Sequence, residues 1–282
     1  MLEIFTAGLL WGGIGIFVNK LLSLGADENL ISILRMSSAF LIMFMAGCFK
    51  FGKNILIRDK KILFTCILFG IICHGLFNIC YSNSIKLNGM GIACVLMYSA
   101  PVFTALGSLI IFHEKFSGLK IISLIINISG CILTAAGGNI LNLNSSVNIR
   151  GLLYGLGSGF CYGMAAVIGR IAGEKINILL VSLYSYFAGM IFLLIFTRPE
   201  FKINSEILLT GFLYGLIPTC LAYLFYYSGL KKIKNTSQVP VIASVEPVTA
   251  LILGYALYYE NIGAVNIFGV ILVFISILLA IK

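Results

Sequence analysis

The sequence predicts an all-α integral membrane protein with ten transmembrane helices, arranged as two inverted five-helix repeats around a central cavity. Three observations predict this fold: an extreme apolar composition, ten apolar stretches of membrane-spanning length, and two similar stretches about half a chain apart. The 282 residues are 60% hydrophobic and only 10% charged, with a mean hydropathy of +1.07. A soluble domain of this size does not keep so much apolar surface away from water. The bilayer is therefore the expected solvent.

A membrane-spanning helix needs about 20 apolar residues. Division of the chain at Gly, Asn, Lys and charge clusters gives ten predicted spans: 3–22, 30–49, 62–83, 90–112, 119–138, 150–172, 178–197, 206–229, 237–259 and 263–281. The sequence begins Met1-Leu2-Glu3 and lacks the basic region and cleavage site of a secretory signal, so we expect the first span, 3–22, to be retained. The Asn- and Ser-rich segment 139–149 lies between the expected repeats, 1–140 and 150–282.

The internal repeat is visible as matching residues in two apolar regions. The first copy, 81–114, contains Tyr81-Ser82-Asn83-Ser84-Ile85-Lys86, Tyr98-Ser99-Ala100-Pro101-Val102 and His113-Glu114. The second copy, 226–260, contains Tyr226-Tyr227-Ser228-Gly229-Leu230-Lys231, Ser244-Val245-Glu246-Pro247-Val248 and Tyr259-Glu260. Five spans per half is an odd number, so the second half should enter the membrane upside down, as in many transporters.

Basic residues predict the orientation of the bundle in the cytoplasmic (plasma) membrane. If the N-terminus is inside, the inner loops carry Lys50, Lys53, Arg58, Lys60, Lys61, Lys115, Lys120, Arg170, Lys175, Lys231, Lys232, Lys234 and Lys282. The outer loops and span ends then carry only Lys20, Lys86, Arg150, Arg198 and Lys202. This distribution follows the positive-inside rule and predicts that both termini are cytoplasmic. It also explains the net charge of +9 without a nucleic-acid partner.

Two spans carry matching polar stripes. His74, Asn78 and Tyr81 share one face of the third span, and an offset of 145 residues maps them onto Thr219, Tyr223 and Tyr226 of the eighth span. Polar groups that face lipid are costly, so both stripes should face the interior. They serve either as hydrogen-bonding contacts between helices or as the wall of a solute cavity. Tyr98, Tyr162, Tyr184 and Tyr186 are further candidates for an aromatic wall.

Glu246 is the acidic residue near the middle of the ninth span. An ionised carboxylate there costs at least ~2.5 kcal/mol on insertion scales. It should therefore lie in a wet cavity, pair with a cation or stay protonated, and each state suits a proton- or cation-linked transporter. The structural alternative is that it satisfies backbone groups freed by Pro240 and Pro247. Pro247 and its repeat counterpart Pro101 are either hinges or tolerated kinks.

Arg35 is the basic residue placed well inside a span, about 7–8 Å from the predicted outer end. It either anchors the span or pairs structurally, or it contacts a solute or counter-ion.

Glycines recur every four residues on the sixth span, at Gly151, Gly155, Gly159 and Gly163. Such stripes let helices approach closely, within one bundle or in a homodimer.

Several functional classes have no sequence support. The eight cysteines form no CxxC pair and there are two histidines, so no metal-site spacing is found. The sequence also has no P-loop, GxSxG or HExxH motif. We therefore expect no metal, no cofactor and no enzymatic activity.

The chain resembles the drug/metabolite transporter superfamily, specifically its EamA-type ten-helix members. The residues that carry the resemblance are Gly8-Leu9-Leu10-Trp11-Gly12, Leu34-Arg35-Met36, Tyr98-Ser99-Ala100-Pro101, Glu246-Pro247-Val248, Glu114 and Glu260. The resemblance implies ten helices in two inverted repeats around a cavity for small solutes such as amino acids, other metabolites or quaternary amines. The chain has Ala100-Pro101 where the second half has Glu246-Pro247, so any role of the carboxylate belongs to one half only.

These observations predict a secondary transporter that moves a small organic metabolite, an amino acid or related amine, by alternating access, with proton coupling left open. The alternatives are efflux of hydrophobic cations and a membrane scaffold or sensor without transport. The predicted solute-binding residues are His74, Asn78, Tyr81, Tyr98, Thr219, Tyr223, Tyr226 and Glu246. Glu246 is also the candidate for proton coupling, and Pro101 and Pro247 are candidate hinges.

Overall fold

The structure is a computed structural model that describes residues 1–115, 117–136, 148–200, 203–233, 235–259 and 261–281. Most of the predicted junction 139–149, together with Lys202, Lys234, Glu260 and Lys282, lies outside the described residues. Within those ranges all regular elements are helical.

The α-helices follow one another with short connections. They are α1 (Leu2–Gly12), α2 (Ile14–Ser23), α3 (Glu28–Phe51), α4 (Lys60–Phe69), α5 (Phe77–Met97), α6 (Ala100–Phe112), α7 (Gly118–Ala136), α8 (Ile149–Lys175), α9 (Ile178–Phe196), α10 (Ser205–Gly215), α11 (Ala222–Leu230), α12 (Val239–Ala243), α13 (Val245–Tyr258) and α14 (Ala264–Ile281). Side-chain oxygens of Asp27, Asp59, Asn148, Asn177 and Asn204 accept backbone N–H groups at the first turns of α3, α4, α8, α9 and α10.

Several of these helices join into longer apolar segments that can cross a membrane. Among the described residues nine segments have the length and composition: Leu2–Ser23, Glu28–Ile55, Lys60–Met97, Gly118–Ala135, Ile149–Lys175, Ile178–Phe196, Ser205–Leu230, Thr236–Tyr258 and Ala264–Ile281. Ala100–Phe112 is a shorter apolar helix. The chain is therefore a multi-pass membrane protein.

The segment Lys60–Met97 covers the predicted third span and the start of the predicted fourth. Its helix is interrupted at Gly89, where φ is +80° and ψ is 164°, a conformation that suits glycine. The predicted fourth span, 90–112, therefore consists of the end of α5 and the whole of α6, with a second break at Tyr98 and Ser99.

Breaks and wide turns divide spans that the sequence predicts as continuous. π-Helical turns occupy Gly70–Leu76 and Leu216–Leu221 in the third and eighth predicted spans. Pro218 lies in the second turn and cannot donate a backbone hydrogen bond there. Pro101 and Pro247 lie in the first turns of α6 and α13, directly after breaks at Ser99 and Ser244. The first-turn N–H groups of a helix have no partner within it, so proline is tolerated at both places.

Glycines let α1 and α8 contact the backbone of these broken helices. A Cβ added at Gly12 would lie 2.8 Å from the Glu246 carbonyl oxygen, and one added at Gly163 would lie 2.5 Å from the Ala100 carbonyl oxygen. Gly155 and Gly159 likewise lie against Leu96 and its neighbours. These glycines of the sixth span therefore pack inside the bundle.

Helices α7 and α14 pack closely against each other. Gly130 lies against the Val273 backbone nitrogen, where an added Cβ would be 2.8 Å away. The Asn266 amide nitrogen donates to the Thr134 carbonyl oxygen at 2.9 Å, and the Ser123 hydroxyl donates to the Ser276 carbonyl oxygen at 2.8 Å. This pair also contributes Asn127, whose side chain reaches the break at Ser244.

Candidate functional site

Glu246 lies at the start of α13, half-buried beside a small internal pocket. The Tyr162 hydroxyl of α8 donates to the Glu246 carboxylate, with 2.7 Å between Oη and Oε2. Within the described part of the chain, no Lys, Arg or His nitrogen forms an ion pair with this carboxylate. The hydrogen bond of the carboxylate therefore goes to a phenol from another helix, not to backbone groups near Pro240 or Pro247.

The pocket beside Glu246 is lined by Tyr98, Ala100, Pro101, Asn127, Cys131, Tyr162, Pro240, Ser244 and Glu246. Its volume is about 10 Å³. One water needs roughly 10–15 Å³ by the same measure, so the pocket has space for about one water. The Asn127 amide nitrogen donates to the hydroxyls of Ser244 at 2.6 Å and Ser276 at 2.9 Å, while its Oδ1 has no partner among the described residues.

An aromatic cluster lies next to Glu246 and Tyr162. The Trp11 ring centroid is 6.1 Å from that of Tyr162, 5.2 Å from that of Tyr223 and 5.1 Å from that of Tyr226. His74 joins the cluster, since its ring lies 5.2 Å from Tyr223. The structure therefore brings together three predicted solute-binding residues, but it packs them against one another.

Three polar atoms in and beside this cluster are buried without a hydrogen-bond partner in the described residues. They are Trp11 Nε1, His74 Nε2 and the Tyr227 hydroxyl oxygen. Each unpaired buried polar group costs roughly 1–3 kcal/mol. The described residues therefore leave three hydrogen-bonding groups unsatisfied in a closely packed aromatic region.

Arg35 and Thr219 are direct partners. The Arg35 side chain is buried, with 8% of the residue exposed, and its Nε donates to Thr219 Oγ1 at 3.0 Å. Its guanidinium carbon lies 5.2 Å from the centre of the Tyr214 ring. Among the described residues, no carboxylate lies within ion-pairing distance of Arg35. Arg35 therefore pairs with side chains of the bundle itself, Thr219 and Tyr214, as the structural alternative predicted.

The remaining predicted site residues lie in different places. Tyr81 stacks on Phe77, with ring centroids 5.8 Å apart, and its hydroxyl lies 3.0 Å from Cys94 Sγ. Tyr98 lines the Glu246 pocket. Asn78 lies one turn from His74 on the same helix face, but it borders a separate and larger space.

That space, named here the Asn78 cavity, has a volume of about 200 Å³. It is lined by Asn29, Ser32, Asn78, Ile79, Ser82, Asn83, Lys86, Leu193, Phe196, Thr197 and Arg198. The Ser32 hydroxyl donates to Asn78 Oδ1 at 3.3 Å, and Asn78 Nδ2 donates to the His74 carbonyl oxygen at 2.5 Å. Asn78 therefore lines the cavity and is also hydrogen-bonded to the backbone of His74, a member of the aromatic cluster.

The opposite end of the bundle is held by a network of charged and polar groups. Helix α8 connects the two ends, because Asn148 at its start bonds to Asn88 and Arg170 lies near its end. The network comprises Glu114, Arg170, Thr236 and Ser237, and is named here the Glu114 network.

Glu114 accepts hydrogen bonds from three residues of this network, which lie on two elements. Its side chain is 7% exposed, and its Oε1 lies 2.9 Å from Arg170 Nη1 and 2.6 Å from the Thr236 backbone nitrogen. Its Oε2 accepts from the backbone nitrogen of Ser237 at 3.3 Å and from its hydroxyl at 3.2 Å. The ends of α6 and α8 are therefore tied to the start of the segment Thr236–Tyr258.

Comparison with known proteins gives the family. The sequence model of the EamA-like transporter family matches residues 1–136 and 149–282. The chain belongs to the EamA-like transporter family.

Curated relatives of this EamA-like transporter carry the name "Uncharacterized transporter". One from Archaeoglobus fulgidus is 22% identical over 278 residues, covering 98% of this chain and 94% of the relative. "Uncharacterized transporter YoaV" from Bacillus subtilis is 24% identical over 188 residues, covering 65% of this chain and 63% of the relative. A solved structure titled "Crystal structure of protein" has the same fold, with a TM-score of 0.81 at 17% identity, 99% coverage of this chain and 95% of that one.

Sequence reasoning did not identify Tyr162 as the partner of Glu246, nor Trp11 as the centre of the aromatic cluster. A signal for both is present in this EamA-like transporter. Gly8 and Gly12 flank Trp11 with the same spacing as Gly159 and Gly163 flank Tyr162. Each aromatic residue thus lies three positions after one glycine and directly before a second glycine. The helices that carry them, α1 and α8, contact the segments broken at Ser244 and Ser99.

Proposed function

We propose that this EamA-like transporter is a secondary transporter that moves a small organic metabolite, an amino acid or related amine, across the cytoplasmic membrane by alternating access. The observation that carries the proposal is the hydrogen bond between Tyr162 and Glu246 at a pocket with space for about one water. An acidic side chain kept inside a bundle, next to an aromatic cluster, suits recognition of a protonated amine.

The proposed architecture has ten membrane crossings in two inverted repeats, 1–140 and 150–282. The break at Gly89 supports it, because residues 90–112 are long enough for a separate fourth crossing. Corresponding contacts also support it: Gly12 lies against the Glu246 carbonyl as Gly163 lies against the Ala100 carbonyl. His113 and Tyr259, at the ends of α6 and α13, both have positive φ values, 53° and 55°.

The proposed orientation places both termini and the Glu114 network on the cytoplasmic side, since the basic loops lie there. In that orientation the cytoplasmic end is closed by the Glu114 network and the Asn78 cavity lies toward the outside. Alternating access requires the transporter to close toward the outside and to open toward the cytoplasm. This change requires the broken helices to bend. Pro101 and Pro247 are the proposed hinges, because each follows a helix break directly.

Glu246 is proposed to exchange a proton for the amino group of the solute. The test uses protein reconstituted in proteoliposomes, a panel of radiolabelled amino acids and an imposed pH gradient. Wild-type flux should depend on the gradient, and Glu246→Gln should remove that dependence. Glu206→Gln, at an exposed acid in the first turn of α10, is the matched control. Unchanged pH dependence in Glu246→Gln would refute the coupling role.

Efflux of hydrophobic cations is the second candidate, and the packed rings of Trp11, Tyr223 and Tyr226 favour it. Aromatic faces attract organic cations when these lie within about 6 Å of the ring. Cells that express the protein should then resist lipophilic cations. An unchanged resistance profile, combined with amino-acid flux in proteoliposomes, would exclude this candidate.

A further inference from the structure

The Asn78 cavity differs chemically from the pocket beside Glu246. Its walls contain three amide side chains, two serine hydroxyls and two cationic side chains, Lys86 and Arg198. None of its described lining residues is acidic. Its volume of about 200 Å³ far exceeds the roughly 10–15 Å³ that one water needs. The cavity is therefore large enough for a small solute and offers it two positive charges, together with amide and hydroxyl groups of which each amide nitrogen already donates once within the protein.

The nearby acidic side chains are engaged outside this lining. Glu28 Oε2 lies 3.7 Å from Lys86 Nζ, and the two side chains are 38% and 55% exposed. At 3.7 Å the pair is long, and Lys86 is more than half exposed, so the pair contributes little, although Glu28 Oε2 is itself buried without a hydrogen-bond partner in the described residues. Asp27 accepts the backbone N–H groups of Asn29, Leu30 and Glu200, which occupies its carboxylate. An incoming anion can therefore compete for Lys86 and Arg198.

A third cation lies one helical turn beyond the floor of the cavity. Ser32 and Asn78 both line the cavity and hydrogen-bond to each other, and their contact is taken here as its floor. Arg35 follows Ser32 by three positions on α3, and so faces the same side of that helix. Its Nε donates to Thr219, but its Nη atoms donate to no described residue. A guanidinium has five donors in a fork that matches a carboxylate, so Arg35 has unused capacity for an anionic ligand.

We infer that the Asn78 cavity is a binding site for the carboxylate group of the transported solute. Lys86 and Arg198 attract the anion. The amide nitrogens of Asn29 and Asn78 each donate one N–H within the protein, to the carbonyl oxygens of Arg198 and His74, and offer the second N–H to the anion. Arg35 receives the anion when the contact between Ser32 and Asn78 opens. The inference rests on the proposed function for the identity of the solute and the outward position of the cavity. It selects a zwitterionic amino acid over a simple amine, because Glu246 and Arg35 then serve opposite ends of one solute.

A thiol placed in the cavity measures its electrostatic potential without any transport. Ser82 lines the cavity and its hydroxyl makes no hydrogen bond to the described residues, so Ser82→Cys should fold normally. The purified full chain is treated with a sulfonate-bearing or a trimethylammonium-bearing methanethiosulfonate, and modification is followed by intact mass. The wild-type protein gives the background from native cysteines, of which only Cys48 is exposed.

Each reaction rate is first divided by the rate of the same reagent with a free small thiol, which corrects for intrinsic reactivity. The introduced thiol should then react about three- to tenfold faster with the anionic reagent than with the cationic one. Lys86→Gln together with Arg198→Gln should remove the preference. Arg150→Gln, at an exposed cation that does not line the cavity, is the matched control and should leave the preference unchanged. Equal rates, or a preference for the cationic reagent, would overturn the inference.

Protection by small ligands tests the carboxylate itself. Propionate, propionamide and propylammonium have matched size and are compared at equal concentration and ionic strength. Propionate alone should slow labelling of the introduced thiol, and Arg35→Lys should weaken that protection, since the ammonium lacks the fork. Protection by propylammonium, or by none of the three, contradicts a carboxylate site. Propionate protection in a protein without amino-acid flux would instead refute the proposed function and leave the site standing.

Discussion

The Tyr162 hydroxyl donates to the Glu246 carboxylate at 2.7 Å, although the two residues are 84 positions apart. The same Tyr162 ring contacts Trp11 and Phe77, with centroids 6.1 and 5.9 Å away. Glu246 is therefore connected through one phenol to the aromatic cluster and to the segment that carries Asn78. Any solute that alters the protonation or position of Glu246 acts directly on α8, which extends from one end of the bundle to the other.

Tyr162→Phe should destabilise the protein by about 1–3 kcal/mol, because it leaves a polar acceptor without its donor while keeping the ring contacts. Glu246→Ala removes the acceptor itself, so Tyr162→Phe should cost less in that background than in the wild type, and the double variant should cost less than the sum. The measurement is a double-mutant cycle of unfolding free energies in detergent. Strict additivity of the two substitutions would contradict a direct coupling.

Gly12→Ala should destabilise the protein by about 1–3 kcal/mol through overpacking. The added Cβ would lie 2.8 Å from the Glu246 carbonyl oxygen, which belongs to backbone and cannot rotate away. Gly15→Ala on α2 is the matched control, since nothing lies within 4 Å of its added Cβ. Gly15→Ala should leave the free energy of unfolding unchanged or raise it by up to ~1 kcal/mol, as expected for a Gly to Ala change within a helix. Equal shifts in thermal midpoint for both variants would contradict the close contact.

The sequence predicted the apolar segments well because membrane-spanning length and composition are local properties. It also predicts His74 and Asn78 on one helix face; in the structure the Asn78 amide donates to the His74 carbonyl oxygen, while His74 itself lies in a π-helical turn. Their different surroundings were not predictable, because they depend on other helices: Tyr186 and Tyr223 cover His74, whereas Ser32 meets Asn78. The breaks at Gly89 and Ser244 were likewise missed, since the apolar pattern continues through them.

Tyr227→Phe should be neutral or stabilising, in contrast to Tyr162→Phe. The Tyr227 hydroxyl is buried without a partner in the described residues, so its removal relieves a cost of roughly 1 kcal/mol or more. The ring contacts with Phe69 and Tyr223, at 5.9 and 5.8 Å, remain. Thermal midpoints of the two Phe variants provide the comparison. A loss of stability in Tyr227→Phe similar to that in Tyr162→Phe would show that the Tyr227 hydroxyl has a partner after all.

Glu114→Ala should loosen the end of the bundle that the Glu114 network holds. The substitution leaves the Thr236 and Ser237 backbone N–H groups and one side of Arg170 without their acceptor. Removing one partner of a buried, hydrogen-bonded charge typically costs about 3–5 kcal/mol, and the partial exposure of Arg170 reduces the expected loss to roughly 2–3 kcal/mol.

Hydrogen exchange of the peptide that contains Thr236 and Ser237 gives the local measurement. Exchange there should accelerate in Glu114→Ala, while the Asn148 end of α8 keeps its protection. Glu174→Ala is the matched control, because Glu174 pairs with the same Arg170 at 3.0 Å but its side chain is 59% exposed. An exposed pair contributes about 0–1 kcal/mol, so exchange should change little in the control. Equal acceleration in both variants would mean that Arg170, not Glu114, holds this end of the protein.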